Sequence, residues 1–265
     1  MSSKKIFLGL INKILNVAGY KFILYKKNRS NIVTIDKNYW TPFAQSKKNK
    51  KMELYYEGLR HSENEKSDNE LKQLRFYSLQ QLVHYVLEKK IAGDFVECGV
   101  WKGHSAYLIS KIISKSGLKK RLYIFDSFEG GLSKKVEKDL SSIFKLTQKE
   151  HEEQSKFFAS LEIEVRRCLK DFNFVSLYKG WIPEQFYQVD KETFSFVHID
   201  VDLYEPTLDT LKFFFPKLSK GGVIVCDDYN FHNFPGAKKA FDEFFEDNKC
   251  HMFYEVPMGG CFIIK

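Results

Sequence analysis

The chain has 265 residues, of which 43% are hydrophobic and 16% aromatic, and its formal net charge is +8 at pH 7. This length and apolar content predict one globular domain with a full core, preceded by an N-terminal appendage. No apolar run approaches the ~20 residues of a membrane-spanning helix, and no signal-peptide cleavage pattern follows the apolar N-terminal stretch. The five cysteines form no C-x-x-C pair, which favours a reducing, cytoplasmic setting.

The positive charge is concentrated at the N-terminus. Residues 1–51 hold twelve Lys or Arg and a single acid, whereas the rest of the chain holds 30 basic and 33 acidic residues. The basic character therefore belongs to the appendage and not to the core. A nucleic-acid groove in the core is disfavoured, and we expect no nucleic-acid partner.

The N-terminal appendage is predicted over residues 1–66. Apolar residues at helical spacing in 4–27, with lysines at both ends, predict an amphipathic helix. Two interpretations stay open: the helix rests on an anionic membrane surface, or it packs on the domain or a partner subunit. Residues 28–66 lack steady periodicity and predict a lid or loop with a short helix near Met52–Leu59.

The domain is predicted over residues 67–265, and it begins with an amphipathic helix over 68–90. Strands and helices then alternate, with a long charged insert over 129–158. The predicted strands are 94–99, 121–127, 174–180, 194–200, 222–228, 251–256 and 260–265, and the predicted helices are 103–115, 159–170, 204–215 and 236–247.

This alternation, with nearly continuous apolar strands, predicts an α/β fold: a mostly parallel, seven-stranded, Rossmann-like sheet with helices on both faces. Ligands bind such sheets outside the carboxyl ends of the strands. The acids that end the predicted strands are therefore expected at one site on the edge of the sheet. They are Glu97, Asp126, Asp200, Asp202, Asp227 and Asp228.

The turn after the first strand has the pattern E-x-G-x-x-x-G, from Glu97 through Gly99 to Gly103. A dinucleotide site requires G-x-G-x-x-G, and here Trp101 replaces the middle glycine. S-adenosylmethionine has an ammonium that Glu97 can hold and no phosphate. Asp126 can accept both ribose hydroxyls. The turn therefore favours S-adenosylmethionine over NAD, although a turn used only for packing fits the same pattern.

Five segments of the chain resemble motifs of the macrocin O-methyltransferase (TylF/NovP-type) family. They are GDFVECGVWKGHSAYL, IFDSFEGG, HIDVDLYEPTLDTL, FPKLSKGGVIVCDDYN and PGAKKAFDEF, in the family's order, over roughly 72–247. The resemblance implies the class I S-adenosylmethionine-dependent methyltransferase fold with a reversed last strand. It also implies a metal-dependent activity on sugar hydroxyls and a homodimer or larger homo-oligomer.

Carried over residue by residue, the resemblance makes Asp200, Asp227 and Asp228 metal ligands and places Asp202 beside the acceptor hydroxyl as the base. An all-oxygen carboxylate site selects a hard cation, Mg²⁺ first, then Mn²⁺ or Ca²⁺. In the structural alternative, Asp227 and Asp228 are solvated acids at a strand end, and Asp200 and Asp202 cap the helix that begins near Tyr204. The expected cofactor-binding residues are Glu97, Gly99, Trp101, Gly103, Asp126, Ser127 and Trp181.

The chain departs from the family pattern on the acceptor side. Gly131-Leu132-Ser133 follows the D-S-F-E-G motif where many members have Leu-Pro, and His198 stands where Arg is frequent. The predicted acceptor is a sugar, nucleotide-linked or part of a natural product or surface polysaccharide. The alternative functions are a nicotinamide-dependent oxidoreductase and a membrane-associated module without catalytic activity.

Overall fold

The computed structural model describes residues 52–140, 148–232 and 235–265. The predicted helix over 4–27 and the lysine-rich stretch after it lie outside these residues. No helix in the described ranges is both long enough and apolar enough to cross a membrane. The strands are β1 (Asp94–Cys98), β2 (Leu122–Asp126), β3 (Val175–Lys179), β4 (Phe194–Ile199), β5 (Leu218–Cys226), β6 (Met252–Glu255) and β7 (Cys261–Ile264).

The helices alternate with these strands as the sequence predicts. They are α1 (Glu53–His61), α2 (Glu70–Glu88), α3 (His104–Ser116), α4 (Gln148–Phe158), α5 (Glu162–Cys168), α6 (Tyr204–Lys217) and α7 (Gly236–Asp247). Helix α4 lies in the charged insert, for which no helix was predicted. A short 3-10 turn, Glu137–Asp139, lies in the same insert.

The seven strands form one sheet in the order β3-β2-β1-β4-β5-β7-β6. Strands β1 to β5 are parallel, and β7 runs antiparallel to both β5 and β6. The predicted class I methyltransferase fold is therefore confirmed, including the reversed last strand. The chain order reverses between β1 and β4, which puts the switch point, where open α/β sheets bind ligands, at the centre of the sheet.

The central strands are apolar because both of their faces are covered. Every residue of β4 is buried, and so are four of the five residues of β1. Rings of the aromatic core meet edge to face, as between Phe194 and Phe214, whose centroids lie 4.9 Å apart. Strand β5 begins four residues earlier than predicted because Leu218 already pairs with Phe194, ahead of a register shift.

Helix α1 packs against the sheet domain, although it falls in the stretch 1–66 that the sequence assigned to an extension. The Tyr55 hydroxyl donates to Asp68 Oδ1 at 2.7 Å, and His104 Nε2 lies 2.9 Å from the Tyr55 carbonyl oxygen. The Glu57 carboxylate accepts from Tyr107 and Lys111 on α3. The described part of the lid region is therefore fixed to the first crossover helix.

The charged insert is tied to the start of α6 by Asp139, which is only 3% exposed. Asp139 Oδ1 accepts from the Tyr204 amide at 2.7 Å, and Oδ2 accepts from the Val136 amide at 2.8 Å. A Cβ on Gly236 would lie 1.9 Å from Asp139 Oδ1, so only glycine fits at the start of α7. One carboxylate thus joins the insert to two helices.

Candidate active site

The strand-end acids fall into two groups on either side of the switch point. Glu97 and Asp126 end β1 and β2, whereas the Asp200–Asp202 and Asp227–Asp228 segments follow β4 and β5. Because parallel strands end at one edge of the sheet, both groups face the same crevice. The two groups differ in how their charge is balanced.

Asp126 is held by backbone amides. Its Oδ2 accepts from the Val100 amide at 2.8 Å, and its Oδ1 accepts from the Phe128 amide at 2.9 Å. Burial raises the pKa of Asp126 above its ordinary value, and these backbone bonds oppose that rise. The carboxylate is therefore fixed in orientation at the end of β2.

Gly99 stands where the two groups meet. Its φ is +80°, and a Cβ there would lie 1.9 Å from the Asp200 carbonyl oxygen. Its own amide donates to the Phe125 carbonyl oxygen at 2.9 Å, while the Asp200 amide donates to the Cys98 carbonyl oxygen at 2.9 Å. Only glycine permits this close approach of the turn to the chain after β4.

Glu97 is fully buried, and one of its two carboxylate oxygens has a hydrogen-bond partner. Its Oε1 lies 2.8 Å from His198 Nδ1 on the neighbouring strand, and its Oε2 has no hydrogen-bond partner. Burial lowers the pKa of His198, but the hydrogen bond and charge of Glu97 outweigh it and raise that pKa to about 8. The hydrogen bond with His198 thus engages Oε1 and leaves Glu97 Oε2 for a ligand.

The acids after β4 and β5 repel one another. Burial and then the charge of Asp227 raise the pKa of Asp200 to about 7. Burial and the neighbouring carboxylates also hold the pKa of Asp202 and the pKa of Asp228 well above their ordinary value. Asp228 Oδ2 accepts from the Asp202 amide at 2.8 Å, in a turn where Asp202 has φ +61°.

Two basic residues of α2 face this site, and sequence reasoning did not single them out. Arg75 Nη1 lies 2.8 Å from Asp227 Oδ2, and the charge of Asp227 raises the pKa of Arg75. Lys72, one turn earlier, is buried beside Trp101. Their i, i+3 spacing put both on one flank of the predicted helix, but nothing in that pattern showed that the flank faces the acids.

One cavity brings together five of the predicted cofactor-binding residues, the predicted base Asp202 and the predicted metal ligand Asp200. Glu97, Gly103, Asp227 and Asp228 stand outside its lining. A larger open groove, about 840 Å³, lies beside the 3-10 turn Phe186–Val189 and contains none of the strand-end acids. The predicted residues that line the first cavity are Gly99, Trp101, Asp126, Ser127, Trp181, Asp200 and Asp202.

The predicted metal ligands do not converge as a ready-made set. Among the described residues, no group of three or more His, Cys, Asp or Glu side chains is placed to hold a metal ion. Asp227 is paired with Arg75, and Asp228 accepts a backbone amide. The metal assignment to Asp200, Asp227 and Asp228 stays a prediction.

Curated relatives of this chain are O-methyltransferases. Demethyldecarbamoylnovobiocin O-methyltransferase of Streptomyces niveus is 31% identical over 175 residues, which is 64% of this chain and 64% of that protein. The 8-demethyl-8-(2,3-dimethoxy-alpha-L-rhamnosyl)-tetracenomycin-C 4'-O-methyltransferase of Streptomyces olivaceus is 31% identical over 160 residues, 58% of this chain and 60% of that protein. The matched part thus spans less than two thirds of either relative.

Solved structures give the same result for the fold. The O-methyltransferase NovP superposes with a TM-score of 0.62 at 26% identity, over 79% of this chain and 88% of NovP. The calicheamicin methyltransferase CalS11 superposes with a TM-score of 0.58 at 17% identity, over 80% of this chain and 91% of its own. The macrocin-O-methyltransferase (TylF) family matches residues 7–257. The chain belongs to that family.

Proposed function

We propose that the protein is an S-adenosylmethionine-dependent O-methyltransferase that acts on a sugar hydroxyl. The observation that carries this proposal is the shared cavity: Asp126 and the Gly99 turn line one side, and Asp202 lines the other. Family membership and the activities named for the relatives support the reaction class. The sugar acceptor rests on the relatives, one of which is named for a rhamnosyl substrate.

The β1–β2 side fits S-adenosylmethionine. Asp126 is oriented to accept the ribose hydroxyls, and Glu97 Oε2 is a buried acceptor without a partner that suits the ammonium. The bare backbone at Gly99 lets the methionyl chain pass close to the turn. The missing second glycine of a dinucleotide motif argues against a nicotinamide cofactor.

The β4–β5 side fits the acceptor and its proton. When bound, S-adenosylmethionine supplies a methyl group on a positively charged sulfur. The acceptor oxygen forms a bond to that carbon as the sulfur–carbon bond breaks and its electron pair stays on sulfur. Asp202 in its ionised form takes the hydroxyl proton, as a base within hydrogen-bond reach can.

A divalent cation fits the donor chemistry of this side. Asp200, Asp227 and Asp228 offer only carboxylate oxygens, the ligands that Mg²⁺ prefers. Burial, and then the charge of neighbouring carboxylates, raises the pKa of Asp200 and the pKa of Asp228. A cation held there would lower the pKa of the acceptor hydroxyl. If enzyme treated with EDTA keeps full activity without added metal, this part of the proposal fails.

The residues of the insert support a proposal about the group to which the acceptor sugar is attached. A second cavity, about 290 Å³, shares Leu132 and Ser133 with the first and is lined in addition by Lys135, Leu140 and Ser155. A lysine beside apolar groups suits a sugar attached to an anionic group, such as a nucleotide diphosphate. Methyl transfer from radiolabelled S-adenosylmethionine to nucleotide sugars and to free sugars, at low and high salt, decides this point.

The reaction class has a direct test. S-adenosylhomocysteine should raise the melting temperature of the purified protein, whereas NAD should not. Stabilisation by NAD alone would overturn the methyltransferase proposal in favour of an oxidoreductase. Liposomes in the same screen test peripheral membrane contact of the N-terminal segment, and sedimentation tests the expected homodimer.

A further inference from the structure

Lys72 is a nearly buried cation that forms no ion pair with another residue of the described ranges. It is 8% exposed, and its Nζ donates to the Ser67 hydroxyl at 2.6 Å. Within the described ranges, no carboxylate lies within 4.0 Å of this ammonium. An ammonium has three donors, and burying it beside one neutral acceptor is costly.

The surroundings place this ammonium next to the cofactor turn. Lys72 Nζ lies 5.5 Å from the ring centre of Phe76 and 5.6 Å from that of Trp101. Trp101 belongs to the turn between β1 and α3 and lines the cavity of the candidate active site. The ammonium of Lys72 therefore lies beside the turn that runs from Gly99 to α3, next to a residue that lines the cavity and outside the lining itself.

The charges around Lys72 favour the binding of an anion. Burial lowers the pKa of Lys72 to about 8, which keeps most of the side chain charged at neutral pH, and Asp200 and Asp227 oppose this shift from a distance. The first turn of α3 adds partial positive charge, because its cap residue Gly103 supplies no side-chain acceptor. Both positive features thus lie at the turn that contains Trp101 and Gly103.

We propose that Lys72 binds the α-carboxylate of the methionyl portion of S-adenosylmethionine. The proposal rests on the function proposed above and adds one residue to it. S-adenosylmethionine carries an ammonium and a carboxylate on the same carbon, so Glu97 Oε2 and Lys72 form a complementary acid and base for the two groups. Sequence reasoning assigned the ammonium to Glu97 but left the carboxylate without a partner.

Decarboxylated S-adenosylmethionine tests this assignment, because it lacks the carboxylate and keeps the ammonium, sulfonium and adenosine. We expect calorimetry on the unmodified protein to show about 10- to 100-fold weaker binding of this analogue. In Lys72→Met, the binding of S-adenosylmethionine should fall by a similar factor, and the two compounds should then bind about equally. That convergence is the coupling expected of a direct contact.

Control variants separate this contact from other effects. Glu97→Gln should weaken both compounds alike, because both keep the ammonium, and Lys111→Met, which removes a lysine paired with Glu57, should weaken neither. Methylthioadenosine, which lacks the whole amino-acid part, should bind Lys72→Met within about twofold of the unmodified protein and so reports that the variant is folded.

The outcomes that overturn the assignment are distinct. If Lys72→Met weakens both compounds by the same factor, or weakens neither, Lys72 does not bind the carboxylate. If the unmodified protein binds none of the three compounds, the proposed function itself fails. Lys72→Arg should recover part of the preference for the carboxylate-bearing compound.

Discussion

The β1–β2 side of the crevice carries two strand-end acids and the β4–β5 side carries four, and the two sides balance this charge differently. On the β1–β2 side, Asp126 accepts backbone amides and Glu97 bonds to His198. On the β4–β5 side, burial and then the charge of neighbouring carboxylates raise the pKa of Asp200, Asp202 and Asp228, and Arg75 pairs with Asp227. The first side holds its carboxylates in fixed orientations and leaves Glu97 Oε2 for a ligand, whereas the second keeps an excess of negative charge.

The difference indicates that the two sides of the crevice have different functions. Backbone hydrogen bonds fix a carboxylate in one orientation, which suits recognition of the same cofactor in every turnover. A carboxylate cluster with excess charge binds cations and protons readily, which suits a side where a hydroxyl must lose its proton. Each prediction below perturbs one side or the junction between them.

The largest effect is expected at the acceptor side. Asp202→Asn should keep S-adenosylmethionine binding but slow methyl transfer by ~10²–10⁴-fold, the usual contribution of a positioned base. Single-turnover kinetics beside calorimetric cofactor binding measure both quantities. Asp209→Asn is the control and should leave the rate unchanged, because Asp209 lines the larger groove beside Phe186–Val189. A near-normal rate for Asp202→Asn would remove the base assignment.

The junction of the two sides is tested at Gly99. Gly99→Ala forces a Cβ to within 1.9 Å of the Asp200 carbonyl oxygen, so the free energy of unfolding should fall by at least ~3 kcal/mol. Gly117→Ala is a matched control, since Gly117 also has positive φ but nothing within 4 Å of a Cβ. It should cost only about 1 kcal/mol in urea unfolding. Equal losses would show that backbone conformation alone matters.

The charge balance of the acidic side is tested at Arg75. Arg75→Gln removes the ion pair with Asp227 and should lower the free energy of unfolding by about 1–2 kcal/mol, since the pair is partly buried. Arg166→Gln, in an exposed ion pair with Glu162, should cost below about 0.5 kcal/mol. A loss no larger than that of the control would show that the acids need no resident cation.

The smallest effect concerns the packing behind the cofactor side. Burial lowers the pKa of His104 to about 3, so the folded protein keeps it neutral while the unfolded chain protonates near pH 6.5. The resulting stability is present above pH 6.5 and is lost as the pH falls toward 3. Between pH 7 and 5.5, the unmodified protein should lose about 1 kcal/mol more than His104→Gln. Identical pH dependence would contradict the buried neutral state.

The sequence predicted those features that depend on neighbouring residues in the chain. Strand alternation, the glycine turn and the strand-end acids predicted the fold and placed Gly99, Asp126 and Asp202 at one edge. The roles of Arg75 and Lys72 depend on how α2 crosses the sheet, and helix periodicity shows which residues share a flank but not what that flank meets. The pairing of His198 with Glu97 depends on strand register, which the two separate motifs do not specify.

The anchoring of the insert by Asp139 has a consequence for changing specificity. The segment between Gly131 and Asp139 borders the second cavity. At its far end the Asp139 carboxylate accepts a hydrogen bond from the Tyr204 amide and lies against Gly236. The residues within that span can therefore be exchanged while Asp139 keeps its place. An insert taken from another family member and grafted in front of Asp139 should exchange the acceptor preference while the machinery for methyl transfer stays in register.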